Sequence, residues 1–323
     1  MMFHTSRLLL SISTLLILTT CGLFESKDSD LGYEHYFFLK SEGNRILLHE
    51  DGSSLSIIGP LPSETYNYQF SGVSGNMFYK QTGDVHLLDV FTNEDSIILN
   101  GQNPFDYSVS NSESYITYNR NDSIFIAEVG SQNIKFVSRG VHPFFTSDDN
   151  HILFSDTIET IWAVLKYSIQ TGSIQRLTSA DDDYKIRGSS GDRNKFLVAS
   201  GDFEWHIIDG EGENMLDLQF AHETAGSHWM SNSGTKMWYV HHPSEQEITN
   251  LYIVSVDGVS LEYSTTQTLY QCWIPYDEDY LYITENSETE EYILRKALTG
   301  DGMIDTIFTS TEFCCAKLSP VGW

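Results

Sequence analysis

Basic residues are scarce in this sequence. Lys and Arg number 18 against 45 Asp and Glu in 323 residues, which gives a formal net charge of −27 at pH 7. Nucleic acids and anionic lipid headgroups attract basic surfaces, so this excess of acid argues against nucleic acid and against electrostatic attraction to a membrane. The chain is nevertheless 13% aromatic, which provides for a sizeable core and excludes a disordered acidic tail.

The apolar run near the N-terminus is too short to be a transmembrane helix. It extends from Leu8 to Thr20, which is 13 residues, whereas a spanning helix takes roughly 20. Arg7 precedes the run and small residues close it, a pattern typical of a secretory signal peptide. The next residue is Cys21, in the sequence LTTCG.

This LTTCG sequence resembles the bacterial lipobox, in which a leucine stands three places before a lipidated cysteine. The resemblance implies that residues 1–20 are a lipoprotein signal peptide and that 21–33 are the lipidated cysteine and a tether. Residues 34–323 would form the folded domain. Removal of residues 1–20 would leave a mature chain with a charge of 17 − 45 = −28. More than one acyl chain on Cys21 would hold the protein stably on a membrane. Gly22, in place of a retention aspartate, implies the outer membrane, and an ordinary signal peptide is the alternative.

Catalytic signatures are also scarce. His222-Glu223 begins like a zincin motif, but the residue four positions after His222 is Gly226, so the second metal-binding histidine is missing. The glycine-containing segments 72–76, 188–191 and 210–214 match neither a nucleophile elbow nor a dinucleotide-binding turn. These absences favour a binding protein over an enzyme and predict no cofactor, with a divalent metal as an open possibility.

Internal repeats give the strongest fold signal. Strand-like runs rich in Ile, Val, Tyr and Trp recur in groups of four, separated by Gly, Asp, Asn and Ser. Four strands in each ~40 residues are typical of a β-propeller blade. The turns that end the first run of each group align on Ser71, Ser110, Ser147, Ser190, Ser231, Pro275 and Ser319, at spacings of 39, 37, 43, 41, 44 and 44.

The two ends of the chain complement each other. The segment Tyr36–Gly59 matches the last three strands of the following repeat and lacks a first strand, which the segment Phe313–Pro320 would supply. The sequence therefore predicts an all-β, seven-bladed β-propeller with little helix, closed by the C-terminal strand joining the N-terminal blade. Such closure leaves few exposed sheet edges. Six blades with an irregular cap are the alternative.

The repeats resemble the TolB-like or WD-repeat-like propeller motif of bacterial periplasmic proteins. The segment Ser147–Thr178 carries the whole motif, Ser231–Val240 and Ser319–Trp323 match its turn, and Ile253–Gly258 matches its third strand. The turns at 110–113 and 275–278 depart from the motif. Nothing in the chain resembles the small α/β domain of TolB or the hydrolase domain of propeller peptidases. The resemblance therefore implies a binding platform with no particular ligand.

One group of basic and titratable residues is a candidate site. In propellers, the loops leading into the inner strands and those joining the second and third strands share one face near the axis. Counting back from the aligned turns places His142, Lys185, Arg187 and His228 on that face. His222, His241 and His242 are weaker candidates for metal ligands in the same sector, with Asp181, Asp182 and Asp183 nearby. These residues would bind a metal, or grip a carboxylate or an acidic sugar, unless they only pair with neighbouring blades.

Three further cysteines fall on predicted inner strands: Cys272, Cys314 and Cys315. In an oxidising compartment a disulfide between the last and first blades is conceivable, but neighbouring inner strands lie far apart for the Cα spacing of about 4.4 to 6.8 Å that a bridge needs. Buried free thiols are the favoured interpretation.

Together these features predict a lipid-anchored propeller that serves as a protein- or ligand-binding scaffold in the cell envelope. Its partners would be the membrane, through the lipid, and an envelope protein or glycan, and it would face the periplasm or the cell surface. A metal-assisted carbohydrate lyase and a sensor of small anionic ligands are the alternatives.

Overall fold

The fold is described from a computed structural model of the chain. The structure describes residues 36–41, 44–49, 54–60, 65–70, 76–89, 92–179, 181, 183–200, 204–218, 228–231, 233–241, 249–255, 258–265, 268–273, 279–286, 291–298, 304–310 and 315–318. The predicted signal peptide, Cys21 and the tether lie outside the described residues. Within the described part, no helix has the length and apolar character needed to cross a membrane.

The described strands form seven antiparallel sheets of four strands each. Blade 1 contains β1 (Tyr36–Ser41), β2 (Asn44–His49), β3 (Ser54–Pro60) and the last strand, β28 (Cys315–Leu318). Blade 2 contains β4 (Thr65–Phe70), β5 (Met77–Gln81), β6 (Asp84–Leu88) and β7 (Asp95–Leu99). Blade 3 contains β8 (Tyr107–Val109), β9 (Tyr115–Arg120), β10 (Ser123–Glu128) and β11 (Ile134–Arg139).

The remaining four blades follow in chain order. Blade 4 contains β12 (Val141–Phe145), β13 (His151–Ile158), β14 (Ile161–Ser168) and β15 (Ile174–Arg176). Blade 5 contains β16 (Tyr184–Ser189), β17 (Lys195–Ser200), β18 (Trp205–Asp209) and β19 (Asn214–Leu218). Blade 6 contains β20 (His228–Met230), β21 (Met237–His241), β22 (Thr249–Ser255) and β23 (Gly258–Thr265), and blade 7 contains β24 (Thr268–Trp273), β25 (Asp279–Asn286), β26 (Glu291–Leu298) and β27 (Ile304–Ser310).

Each blade is a meander, and the predicted all-β propeller fold is confirmed. The first strands of successive blades contact each other, β8 with β12, β12 with β16, β16 with β20 and β20 with β24. These are therefore the inner strands, and the fourth strand of each meander is outermost. No helix occurs among the residues that the structure describes.

Blade 1 combines the two ends of the described chain. Its inner strand, β28, pairs antiparallel with β1, with Phe38 opposite Lys317 and Leu39 opposite Ala316. The same strand contacts β4, the inner strand of blade 2. Blade 1 therefore contains one strand that lies more than 250 residues further along the chain than the other three.

The core lies between blades rather than within them. Ile152, Leu153 and Phe154 are consecutive in β13, and each is 0% exposed. Ile152 and Phe154 pack with Ile124 of blade 3, whereas Leu153 packs with Phe196 of blade 5. Because successive side chains of a strand point to opposite faces, a run of apolar residues here serves two separate cores, as expected for sheets buried on both faces.

The turns between first and second strands carry the repeat signature. Ser110, Ser190 and Ser231 each begin a turn in which the serine backbone N–H donates to the carbonyl five residues on, at 2.9 Å. In blade 4 this position is taken by Thr146, whose N–H donates to the His151 carbonyl at 3.1 Å. The alignment on Ser147 was therefore wrong by one residue, because threonine supplies the same side-chain hydroxyl as serine.

Hydrogen bonds link these turns from blade to blade. Asp149 of blade 4 accepts from the backbone N–H groups of Asn111 and Ser112 of blade 3, at 2.6 and 2.7 Å. Ser147 Oγ donates to Asn194 Oδ1 of blade 5 at 2.5 Å. Lys195 Nζ donates to the Ser233 carbonyl of blade 6 at 2.9 Å. The turns therefore fix the angle between neighbouring blades on this face.

Deletion of residues 314–323 tests the shared sheet of blade 1. Loss of β28 removes a ladder of four paired residues and the contact with β4, so we expect unfolding free energy to fall by on the order of 3 kcal/mol and Tm by about 5–10 °C. Calorimetry would measure both. A peptide of residues 314–323 should partly restore Tm and a scrambled peptide should not, while an unchanged Tm in the truncated chain would contradict the shared sheet.

Candidate functional site

Tight hairpins shape one face of the propeller, here called the mouth face. It is formed by the connections leading into the inner strands and by the hairpins between second and third strands. Three of these hairpins have two-residue loops with φ between 46° and 93° at both residues, namely Thr82-Gly83, Asn121-Asp122 and Glu159-Thr160. This conformation is the type I′ turn, whose twist matches that of the flanking strands. These three connections are therefore short and continue the twist of their sheets.

A cleft of about 530 Å³ opens on the mouth face where blades 2, 3 and 4 meet. We call it the mouth cleft. It is lined by Lys80, residues 103–105, residues 119–122, Val141 and His142. This volume is in the range of small-molecule sites.

Arg120 is the best-placed cation of the mouth cleft. Its Nη1 donates to Gln102 Oε1 at 2.6 Å, and its guanidinium carbon lies 5.0 Å from the centroid of the Phe125 ring. The rest of the planar guanidinium donates to no other described residue. A guanidinium held in this way is suited to bind a carboxylate in a bidentate manner.

The segment that leads into β8 is held rigidly beside Arg120. The backbone N–H of Phe105 donates to the Asn119 carbonyl at 2.9 Å, and that of Asp106 donates to Asn119 Oδ1 at 2.7 Å. The ammonium of Lys80, only 5% exposed, donates to the carbonyl of Pro104. Asn119 is 3% exposed, and its Nδ2 has no acceptor among the described residues.

His142 contributes to the cleft through an unusual backbone conformation. It lies in a β-bulge of β12 with φ +53°, a left-handed conformation that costs energy in a residue other than glycine. Its Nδ1 lies 2.8 Å from Asp106 Oδ2. When Nδ1 carries the proton, Asp106 fixes the ring and Nε2 remains to accept a hydrogen bond.

Lys185 and Arg187 lie in another sector, between blades 4 and 5. The Lys185 ammonium stands 3.6 Å from the centroid of the Trp162 ring, in cation–π contact. Trp162 belongs to the hairpin of blade 4, and its backbone N–H donates to Asp183 Oδ1 at 2.7 Å. Burial and then the positive charge of Arg187 lower the pKa of Lys185, while Asp183 opposes them.

A chain of hydrogen bonds borders the same sector. Tyr184 Oη lies 2.7 Å from His206 Nε2, and His206 Nδ1 lies 2.6 Å from Asp217 Oδ1. Tyr184 Oη also donates to Glu204 Oε2 at 3.1 Å. Sequence reasoning did not single out these residues, because they come from four different strands and connections of blade 5.

The structure places only part of the predicted site. His142 contacts Asp106 of blade 3, whereas Lys185 contacts Trp162 of blade 4, so these predicted residues belong to two sectors. His228 is the first residue of β20 and His241 is the last residue of β21. The centroid of the His241 ring lies 6.4 Å from that of the Tyr252 ring.

His222, Asp182 and His242 lie outside the described residues, as does Cys314. Cys272 and Cys315 lie on inner strands β24 and β28, and the interpretation of these cysteines as free thiols stays a prediction.

Metal binding at these residues also stays a prediction. Among the described residues, no three His, Cys, Asp or Glu side chains are grouped so as to hold a metal ion. Two of the three weak histidine candidates fall outside that part of the chain.

A second cleft, of about 440 Å³, lies on the opposite face between blades 3 and 4. Its cation, Lys135, donates to Tyr167 Oη at 2.7 Å, and its walls include Ile126 and Tyr167 from the core between the two blades. The mouth cleft is the better candidate because its lining combines Lys80, Arg120 and His142, whereas the one cation of the second cleft, Lys135, is bonded to Tyr167.

Comparisons with known proteins agree with the geometry at the level of fold. No family model and no curated protein matches the chain. TolB from Acinetobacter baumannii superimposes with a TM-score of 0.50 at 13% identity, covering 96% of this chain and 71% of TolB. An oligogalacturonate lyase in complex with manganese gives 0.58 at 12% identity, with 84% of each chain covered. A prolyl endopeptidase gives 0.56 at 11% identity, covering 88% of this chain and 50% of that one.

These likenesses define the class of protein as a β-propeller. Its fold is TolB-like, as predicted from the repeats.

The sector around Lys185 gives a test of local electrostatics. Arg187→Gln removes a positive charge that lowers the Lys185 pKa, so we expect the pKa to rise and acetylation of Lys185 to slow at a fixed mildly alkaline pH. Asp183→Asn should have the opposite effect. Competitive labelling followed by mass spectrometry measures both rates against an exposed lysine, and equal Lys185 rates in the three proteins would contradict the described contacts.

Proposed function

We propose that the protein is a lipid-anchored recognition module of the cell envelope that binds a small anionic ligand in the mouth cleft. The observation that carries the proposal is Arg120, which is oriented by Gln102 and Phe125 and lines the cleft. Lipidation at Cys21 would keep this surface near a membrane, and the target would be an envelope glycan or an acidic group of an envelope protein.

Charge distribution supports an anionic ligand. In a chain with a net charge of −27, the lining of the cleft contains two permanent cations, Lys80 and Arg120, and a single carboxylate, Asp122. His142 is engaged by the neighbouring Asp106. An anion that reaches the cleft therefore meets oriented donors.

Isothermal titration calorimetry with uronates and dicarboxylates tests the proposal. We expect Arg120→Gln to weaken binding by about 10- to 100-fold, because a charge-assisted hydrogen bond is worth about 1.5–3 kcal/mol. Lys236→Gln is the matched control, since it removes one positive charge on the opposite face. Binding of these anions that Arg120→Gln leaves unchanged would contradict the proposal, as would the absence of binding. Formation of an unsaturated uronate would instead support the lyase alternative.

The anchor is tested separately through Cys21. Cys21→Ser should move the protein from the membrane fraction to the soluble fraction, because the acyl chains and not surface charge provide membrane affinity. Fractionation and mass analysis of the N-terminal peptide give the readout. A membrane-bound Cys21→Ser protein, or a wild-type peptide without acyl chains, would contradict lipidation at this residue.

A further inference from the structure

Phe105 is an unusual component of a polar cleft. Its side chain is 69% exposed, although a large aromatic ring normally gains free energy from burial. Phe105 and Arg120 both line the mouth cleft. A single exposed hydrophobic residue is common on protein surfaces, so the significance of Phe105 is that it shares a cleft with a guanidinium.

The backbone that carries the ring is held in place by hydrogen bonds on both sides of Phe105. The residue before it is tied to Lys80, its own N–H is tied to Asn119, and the N–H of the next residue is tied to the Asn119 side chain. A rigid ring loses little conformational freedom when a ligand stacks on it, which favours affinity.

Neutral polar groups surround the ring. Asn103, Asn119 and Asn121 line the cleft together with the carboxylate of Asp122. The Nδ2 of Asn119, in a side chain that is 3% exposed, has no acceptor among the described residues. This Nδ2 atom is not fully buried, so it can donate to a water molecule or to a ligand. The cleft therefore offers hydrogen-bond donors and an acceptor in addition to its cations.

We propose that the anionic ligand is an acidic saccharide whose pyranose ring stacks on Phe105. This inference rests on the proposed function and adds the ligand class. The apolar C–H face of the sugar covers the aromatic ring, its carboxylate binds Arg120, and its hydroxyl groups pair with the amides and with Asp122.

Other anions fit only part of this arrangement. A dicarboxylate satisfies Arg120 but does not use the exposed face of the Phe105 ring. An aromatic acid would stack on the ring, yet it has no hydroxyl groups for the three asparagines. A neutral sugar leaves the oriented guanidinium without its anion. Only a ligand with a ring, hydroxyl groups and a carboxylate pairs with all three kinds of group.

The test compares four probes on the full chain by calorimetry: a uronate disaccharide, its neutral counterpart, succinate and phenylacetate. The uronate disaccharide should bind most tightly. Phe105→Ala should weaken its binding by about tenfold and leave succinate binding unchanged, whereas Arg120→Gln should weaken both. Phe105→Trp should retain binding and show a change in tryptophan emission on addition of the disaccharide that exceeds the change in the wild-type protein.

The outcomes separate this inference from the proposed function. If succinate or phenylacetate binds as tightly as the uronate disaccharide, or if Phe105→Ala binds the disaccharide normally, the saccharide assignment is wrong while the anion site stands. If none of the anions binds, both proposals fail. Because Phe105 is 69% exposed, its replacement should leave Tm within about 2 °C of wild type, so loss of binding would not reflect unfolding.

Discussion

Among the described residues, sheets in the middle of the chain are buried between two neighbouring sheets. Strand β13 illustrates the constraint, since Leu153 faces one neighbouring blade and Phe154 the other. A row of such sheets with free ends would leave two apolar faces in water, and each large side chain so exposed would forfeit about 1.5–3 kcal/mol. A ring avoids this cost. The pairing of β28 with β1 places residues from both ends of the described chain in one sheet.

The turn network explains why the two faces of the molecule differ in character. On the face opposite the mouth, Arg193 extends from blade 5 past blade 4 and donates to the carbonyl of Val109 in blade 3. It is 6% exposed, and burial lowers its pKa to about 10 while Asp149 opposes that shift, so it remains charged at neutral pH. A buried charge of this kind is tolerated only with partners, and here they join three blades. The described polar groups of this face therefore join neighbouring blades.

The sequence predicts the fold far better than the site, and particular residues show why. Turn residues such as Ser110, Ser190 and Ser231 act within five residues of themselves, so their spacing reveals the blade period. The contacts of the mouth cleft join Arg120 to Gln102 over 18 residues, Lys80 to Pro104 over 24 and His142 to Asp106 over 36. The spacing of the sequence repeats indicates which connections lie on the same face of the propeller. It does not indicate which side chains of different blades contact each other there. The sequence did contain a signal for Arg120, because this residue immediately precedes the Asn121-Asp122 turn of a second-to-third strand hairpin.

His142 lines the cleft, and its conformation is set by the packing of blades 3 and 4. It was predicted from its position at the start of an inner strand, but its conformation depends on features that the strand pattern does not reveal. The preceding Gly140 has φ +141°, and a Cβ there would lie 2.7 Å from the Ser155 carbonyl oxygen, so the chain passes β13 too closely for any other residue. The bulge that follows turns His142 towards Asp106, against the preference of its own backbone. Packing between blades 3 and 4 has to offset that cost, and the result is a ring position fixed before any ligand arrives. Rigid placement of Phe105, Arg120 and His142 by inter-blade packing is the physical reason to expect recognition at this cleft.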